Sequence, residues 1–557
     1  MLSAMPRRYR LTSCLIVALS ITAACERRGG CTGSYCGTVI DAAIGEPPTL
    51  LPTSTDEIVA RDIGEQLFLK LADVGMSLNT AGDEDFQPLL AERWEWDGPM
   101  TLVFHINPAA RWQDGQRVSA ADVAFTFDAY TDSAVASPFR PQLSRIASVT
   151  ARDSLTAVFR FKERYAEMMY DAVYHMRVLP AHLLRSVPRN QWRTAQFGRQ
   201  PIGNGPYRFV RWQPAQSIEL VADSNFFLGR PAIRRLIWRF TPNAQVAVTQ
   251  LIAGEADIRE QLVTSENVGR VRAAQQVTLY PYKGNSYAYF GFNQRANGDT
   301  TKPHPLFGDR EIRRALTMAV DRARLVRSTL GDLGKVPPGP MSTLLWIWDP
   351  EMRQLPYDTA QAVRTLNARG WRDHDNDGIR DRNGQPLAFR VLVPTTSALR
   401  RQYARLLQEQ FRTIGVQMDI DEVESAVVGQ RAQAGRFDAI ILARAQDPSP
   451  SSGILQSWTR AGLGGSNFVR YHNPEFDRLV NRAVSAPTQD AARSFWRAAI
   501  ETINTDAPAI FLFALDNMGA VHSRVQNVQL RPDSWSALLR TWRIPSDRLI
   551  DRDRVER

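Results

Sequence analysis

The chain has 557 residues, 44% hydrophobic and 23% charged, which is the balance of a folded protein and excludes disorder as its general state. That length predicts three to four structural units by the usual domain size of roughly 150 residues. The net charge is +10, but the basic residues are interleaved with acids and form no aromatic-rich basic block, which argues against nucleic acid as a partner.

Arg7, Arg8 and Arg10 precede an apolar stretch that starts at Leu11 and ends in the small residues Thr22, Ala23 and Ala24 before Cys25. This reads as an export signal over residues 1–24, too short to span a bilayer. It is similar to a bacterial lipoprotein signal, which implies that Cys25 is the lipidated residue; ordinary signal cleavage is the alternative. Residues 25–37 form a Gly/Ser/Cys-rich tether. Cys31 and Cys36 are an even pair for an exported chain, so a small disulfide loop is expected there. No cysteine follows, so the main fold has to be stable on its core alone.

"TVIDAAI" opens the folded part as a strand, and Ile58, Ile63, Leu67, Leu71 and Val74 recur at helical spacing through residues 58–74. A meander follows, punctuated by Asp-Gly turns at 97–98 and 114–115. Ser119 with Asp122 makes a capping box, and Val118 with Val123 a hydrophobic staple, for a helix over "AADVAFTFDAY". Residues 309–323 place Ile312, Ala315, Leu316, Ala319, Val320 and Ala323 on one helical face, capped by Asp309. Later, "AFRVLV", a helix carrying Tyr403, Leu407, Phe411 and Ile414 up to Gly415, the alternating "VQMDIDEV" and then "FDAIIL" predict an α/β unit with a largely parallel sheet.

Between these lies "GWRDHDNDGIRDRNGQPL", residues 370–387. Asp373, Asp375, Asp377 and Asp381 stand at positions 1, 3, 5 and 9 of an EF-hand frame, with Gly378 at position 6. The frame needs a bidentate carboxylate at position 12 and finds Gly384, and a strand-like run follows where a second helix belongs. The turn chemistry of Asp, Asn and Gly predicts a solvated hairpin, with calcium as the alternative cofactor and no other cofactor expected. No hydrolase elbow, zinc-protease, phosphate-loop or dinucleotide motif occurs, and the seven histidines are dispersed. Binding is therefore the expected activity and no catalytic residue is assigned.

Several stretches in order resemble the extracellular solute-binding proteins of family 5, which serve oligopeptide and dipeptide ABC importers. They are "RWQDGQRVSAADVAFTF", "PIGNGPYRFVRW", "YFGFNQ" with "DREIRRALTMAVDRARLV", the acidic hairpin, "VRYHNPEFDRLVNRA" and "INTDAPAIFLF", and the resemblance covers roughly residues 38–545. The resemblance implies an α/β, two-lobed Venus-flytrap fold of the periplasmic-binding-protein type II class with an extra subdomain in the first lobe. Its expected parts are residues 38–285 as the first lobe with that subdomain, 286–510 as the second lobe, and 511–557 returning to the first. It also implies a monomer, lipid-anchored at a membrane in the periplasm or cell envelope, that hands a peptide or peptide-like solute to permease subunits.

In peptide-binding members an aspartate after the strand equivalent to "FDAIIL" meets the peptide amine, and a tryptophan packs beside it. Here "ILARAQDPSP" puts Arg444 at the aspartate position and Ile441 at the tryptophan position, while Asp447 keeps the aspartate of the Asp-Pro pair. Asp56, in "LLPTSTDE", matches a first-lobe acid of oligopeptide binders. The resemblance implies ligand-facing positions at Asp56, Asn204, Gly205, Ile441, Arg444, Asp447, Trp458 and Asn467. Two other readings stay open: a secreted calcium-dependent hydrolase, and a sensor or chaperone that keeps the fold without transport.

Overall fold

The structure is a computed structural model that describes residues 35–554 except Val263. The export signal, Cys25 and Cys31 lie outside the described residues; Cys36 lies inside them and is buried.

An eleven-stranded mixed sheet runs through the whole molecule. Two long antiparallel strands, Val277–Phe292 and Ala509–His522, cross its middle and serve both halves. Tyr282 and the residues before it pair with Asn517 and those after it, beside the strands of the first lobe. From Ser286 onward the same strand pairs with Leu515 and the residues before it, beside Ala439–Ala445 of the second lobe.

The ladder breaks between Tyr282 and Ser286. Gly284 sits in the break, where a Cβ would lie 1.6 Å from the Leu515 carbonyl oxygen, so only glycine allows the two strands to approach. Its N–H donates to Thr343 Oγ1 at 3.1 Å and to Asp516 Oδ1 at 3.3 Å, and Lys335 Nζ is 2.7 Å from Asp516 Oδ2. This is the hinge. The return strand stays with the second lobe through Leu515, so the chain crosses back after that residue and not at 511.

The cores separate along the same line. One cluster collects residues from Val39 to Ile258 with Val521–Ile544 and takes in Leu344, and two others lie between Tyr287 and Leu515. The C-terminal segment is fixed to the first lobe by buried Arg524, whose guanidinium meets Asp257 and Asp553 at 2.6 Å each. A separate four-stranded antiparallel sheet, ordered 91–96, 101–106, 156–161 and 146–151, forms the extra subdomain. Its helix Ala120–Thr131 carries the predicted capping box, with Asp122 Oδ2 accepting from Ser119 N at 2.8 Å. In the second lobe, Gln417–Val423, Ala388–Pro394 and Ala439–Ala445 are parallel neighbours, as the sequence pattern predicts.

Two helices depart from their sequence expectation. The first ends at Leu67 instead of running to Val74, because Asn204 N and Gly205 N donate to the Leu67 carbonyl at 3.0 and 2.9 Å and Phe68 turns extended. The helix expected over 309–323 is two, Arg310–Met318 and Arg322–Thr329, because Asp321 accepts from Arg324 N at 2.9 Å and caps a new start.

Candidate ligand-binding cleft

The lobes touch at Glu167, a buried acid of the first lobe. Its Oε2 accepts from Ser449 Oγ of the second lobe at 2.7 Å, and its Oε1 accepts from Thr80 Oγ1 at 2.5 Å. A second bridge joins Gln489 Nε2 to Asn79 Oδ1 at 3.2 Å. Ser449 is placed by the helix Pro450–Trp458, which it caps by accepting from Ser451 N at 3.1 Å. Asp447 stands just before this cap, half-buried, accepting from Ser452 Oγ at 2.6 Å and Ser449 N at 3.0 Å.

Three carboxylates therefore converge from both lobes. Burial lifts Asp447 to about 7 against its two hydrogen bonds, and Glu167 adds to the rise. Burial likewise holds Asp171 well above the usual carboxylate range, although Tyr165 Oη donates to it at 2.6 Å; Glu167 and Asp447 push in the same direction.

Beside the acids, Tyr170 and Tyr174 stack with ring centres 4.5 Å apart, and His175 meets both edge-on. Burial pushes His175 down to about 3, so it is a neutral wall. Beyond Tyr174 a first-lobe cavity of about 80 Å³ is lined by Arg61, Glu65, Lys70, Tyr174, Arg177 and Asp533, among others. Glu65 is bound by Arg177 at 2.5 Å; burial opposes its ionisation, but Arg177, Lys70 and Arg531 overcome it and hold Glu65 at about 2. Asp533 is taken by Arg531, with bonds of 2.6 and 3.1 Å.

A hinged pair of lobes closing over polar groups is the geometry of solute capture, and the family profile of the bacterial extracellular solute-binding proteins, family 5 (middle), matches residues 85–465. The chain belongs to this family. It is 27% identical over 508 residues to the oligopeptide-binding protein AppA of Bacillus subtilis, covering 89% of each chain. It is 25% identical over 478 residues to an ABC transporter peptide-binding protein of Brucella melitensis, covering 79% of this chain and 85% of that one. The solved structure of Bacillus subtilis AppA with a nonapeptide superposes with a TM-score of 0.76 at 24% identity, covering 92% of this chain and all of that one.

Within this family 5 fold, the positions singled out by resemblance divide sharply. Ile441 is wholly interior to the second lobe and lines nothing, because its strand position faces the core. Trp458, 1% exposed, donates from Nε1 to Tyr287 Oη at 2.9 Å and packs edge-on to Tyr289 and Phe511. Asn467 donates to the carbonyls of Thr459 and Tyr471 at 3.0 and 2.8 Å, so it closes a loop. Asn204 Oδ1 accepts from Leu69 N at 2.8 Å, and a Cβ on Gly205 would lie 2.4 Å from the Gln66 carbonyl oxygen; both hold the end of the first helix.

Arg444, half-buried, is turned to its own lobe, bonding the Ser466 carbonyl and lying 4.9 Å over Phe468. Asp56 is exposed, next to Thr55 on the cavity wall. Of the eight positions, Asp447 is the one that joins the interlobe acids. Glu167, Asp171, Lys70 and Arg61 escaped the sequence reading, since nothing local marks them; the Ser-Pro helix start at 449–450 was the available signal for Ser449.

In the acidic turn, Asp373, Asp375 and Asp377 are exposed, with carboxylate oxygens within 4.8 Å of one another. Asp373 accepts from Gly378 N at 3.1 Å and Asp377 from Ile379 N at 2.7 Å. Asp381 is turned away to His374, accepting from its N at 3.0 Å, and pairs its strand with Gln385–Pro386 as a hairpin.

Proposed function

We propose that this chain is the substrate-binding component of an ABC importer, capturing a peptide or peptide-like solute between its lobes and delivering it to membrane permease subunits. The observation that carries this is the convergence of Glu167, Asp171 and Asp447 from two lobes joined by a glycine hinge. A solute ammonium placed there would gain contacts on both lobes at once, so it favours the closed form by its differential affinity. No bond is made or broken, and no catalytic residue or cofactor is assigned. The peptide-binding names of the relatives in Bacillus subtilis and Brucella melitensis support the ligand class.

Anchoring belongs to the same reading: export through the N-terminal signal and lipidation at Cys25 would hold a monomer at the membrane where its permease sits. No helix among the described residues is long and apolar enough to cross a membrane. The acidic turn is read as a structural hairpin, its carboxylates serving backbone N–H groups. Mixed peptides added to the purified chain, followed by native mass spectrometry, test the proposal: retained peptides support it, and none retained from a broad mixture refutes it.

A further inference from the structure

A groove of about 660 Å³ runs behind the hinge. Its floor is the two crossing strands at 281–283 and 516–518. One wall is the first-lobe helix Ser265–Arg272, and the other is the second-lobe turn at 330–333. Each wall is rooted in its own lobe: Val271 is wholly buried in a first-lobe cluster with Val248 and Leu251, and Leu330 belongs to the second-lobe core. Leu333, half-buried, packs against both.

Groove and cleft lie on opposite faces of the sheet, because successive side chains of a strand point to opposite sides. Tyr280 and Val521 pack with the first-lobe core that includes Ile63 and Leu67, on the helix whose Arg61 lies within electrostatic reach of Asp447. Leu279, Met518 and Ala520 pack on the other side, with Val268 and Val271 of the groove wall. The hinge at Gly284 is therefore a fulcrum. In this form Glu167 meets Ser449 across the cleft, so the cleft is closed while the groove behind it stands open. Rotation that opens the cleft swings the helix and the turn toward each other. It covers apolar surface that Pro281, Leu333 and Met518 now leave to water. Arg272 and Asp332 stand exposed on facing walls, and the same rotation brings these opposite charges closer.

Building on the capture reading above, we infer that the groove walls form a counter-contact that stabilises the open, solute-free chain, so residues that never touch the solute set its affinity. Closing over a solute breaks this contact, and the apparent affinity falls with the fraction of chains that the contact holds open. A bulky side chain in the groove acts in reverse: it blocks the approach of the walls and favours the closed form.

The test compares the full chain with Ser265→Trp, which fills the groove from the first-lobe wall, and Asp332→Lys, which sets two cations against each other across it. Both replaced side chains are exposed, so neither change disturbs a core. Glu266→Trp, on the same helix but outside the groove lining, is the control. Ligand-free solution scattering should give a smaller radius of gyration for both groove variants and an unchanged one for the control. A library of peptides of two to nine residues should half-saturate the groove variants at a concentration at least threefold lower, read by native mass spectrometry. Unchanged ligand-free profiles in both groove variants overturn the counter-contact, and peptide still retained leaves the capture reading standing. A control that shifts as far as the groove variants also overturns it, as do shifted profiles with peptide bound at unchanged affinity. If the profiles shift as expected and no chain retains peptide, the capture reading falls and the counter-contact stands.

Discussion

The two walls of the cleft are built differently. Behind the second-lobe wall lie Trp458, Tyr287, Tyr289 and Phe511, an aromatic interior in which Trp458 Nε1 donates to Tyr287 Oη. The first-lobe wall is a mesh of buried ions, Glu65 with Arg177 and Lys70, and Arg531 with Asp533 and Asp73, with Lys70 also lying 4.5 Å over the Tyr174 ring. One wall supplies shape and a helix start that presents Asp447 and Ser449; the other supplies charge. The buried charge of the cleft region therefore lies mainly in the first lobe, although the sequence signatures that suggest a ligand site fall mainly on the second.

Removing an aromatic from the second-lobe wall separates scaffold from contact. Trp458→Ala should cost about 3–5 kcal/mol of stability, read by denaturant unfolding. A variant that keeps its stability and loses only ligand affinity would place this tryptophan at the solute instead. Gly284→Ala drives a methyl group into the Leu515 carbonyl and should cost roughly 1–3 kcal/mol, together with an altered interlobe angle in solution scattering. An unchanged scattering profile would move the hinge elsewhere.

Glu167→Gln replaces an acceptor that serves both Thr80 and Ser449 by an amide that can accept on one side only. The closed form should weaken by about 1 kcal/mol, seen as a severalfold faster ligand release. Release at the unsubstituted rate would remove Glu167 from the latch.

The acids also fix a pH dependence. Asp447 at about 7 in the folded chain lies above its value in the unfolded chain, so it binds more protons when buried. Its contribution favours the folded form below the unfolded value near 4, and that advantage is lost as pH rises through about 7. Glu167, Asp171, Arg61 and Tyr170 face it, and the two acids act in the same direction. The ligand-free chain should resist denaturant better at pH 5 than at pH 8 through this group, and Asp447→Asn should flatten the difference. The smallest effect is expected at the acidic turn: millimolar calcium should leave the melting temperature unchanged, and a rise of several degrees would restore the calcium reading.

Much of the fold was legible because it is written in local chemistry. The capping box at Ser119 and Asp122, the Asp-Gly turns and the strand-helix-strand series around Tyr403 each carry their own signal. The helix break at Asp321 carried one too, since an aspartate before a second amphipathic run is a cap. The site was less legible. Glu167 and Asp447 lie far apart in the chain and come together only through the fold. Arg444 and Ile441 were singled out by position in a motif, but strand alternation sends Ile441 into the core and the 466–468 loop engages Arg444.

Small-angle X-ray scattering of the full chain, with and without a saturating mixture of free-acid peptides whose binding native mass spectrometry confirms, probes lobe closure over a solute. A smaller radius of gyration with peptide is expected, and Asp447→Asn should blunt the change. An identical profile with peptide bound would mean that the lobes do not close on their ligand, and the proposed capture mechanism would be wrong.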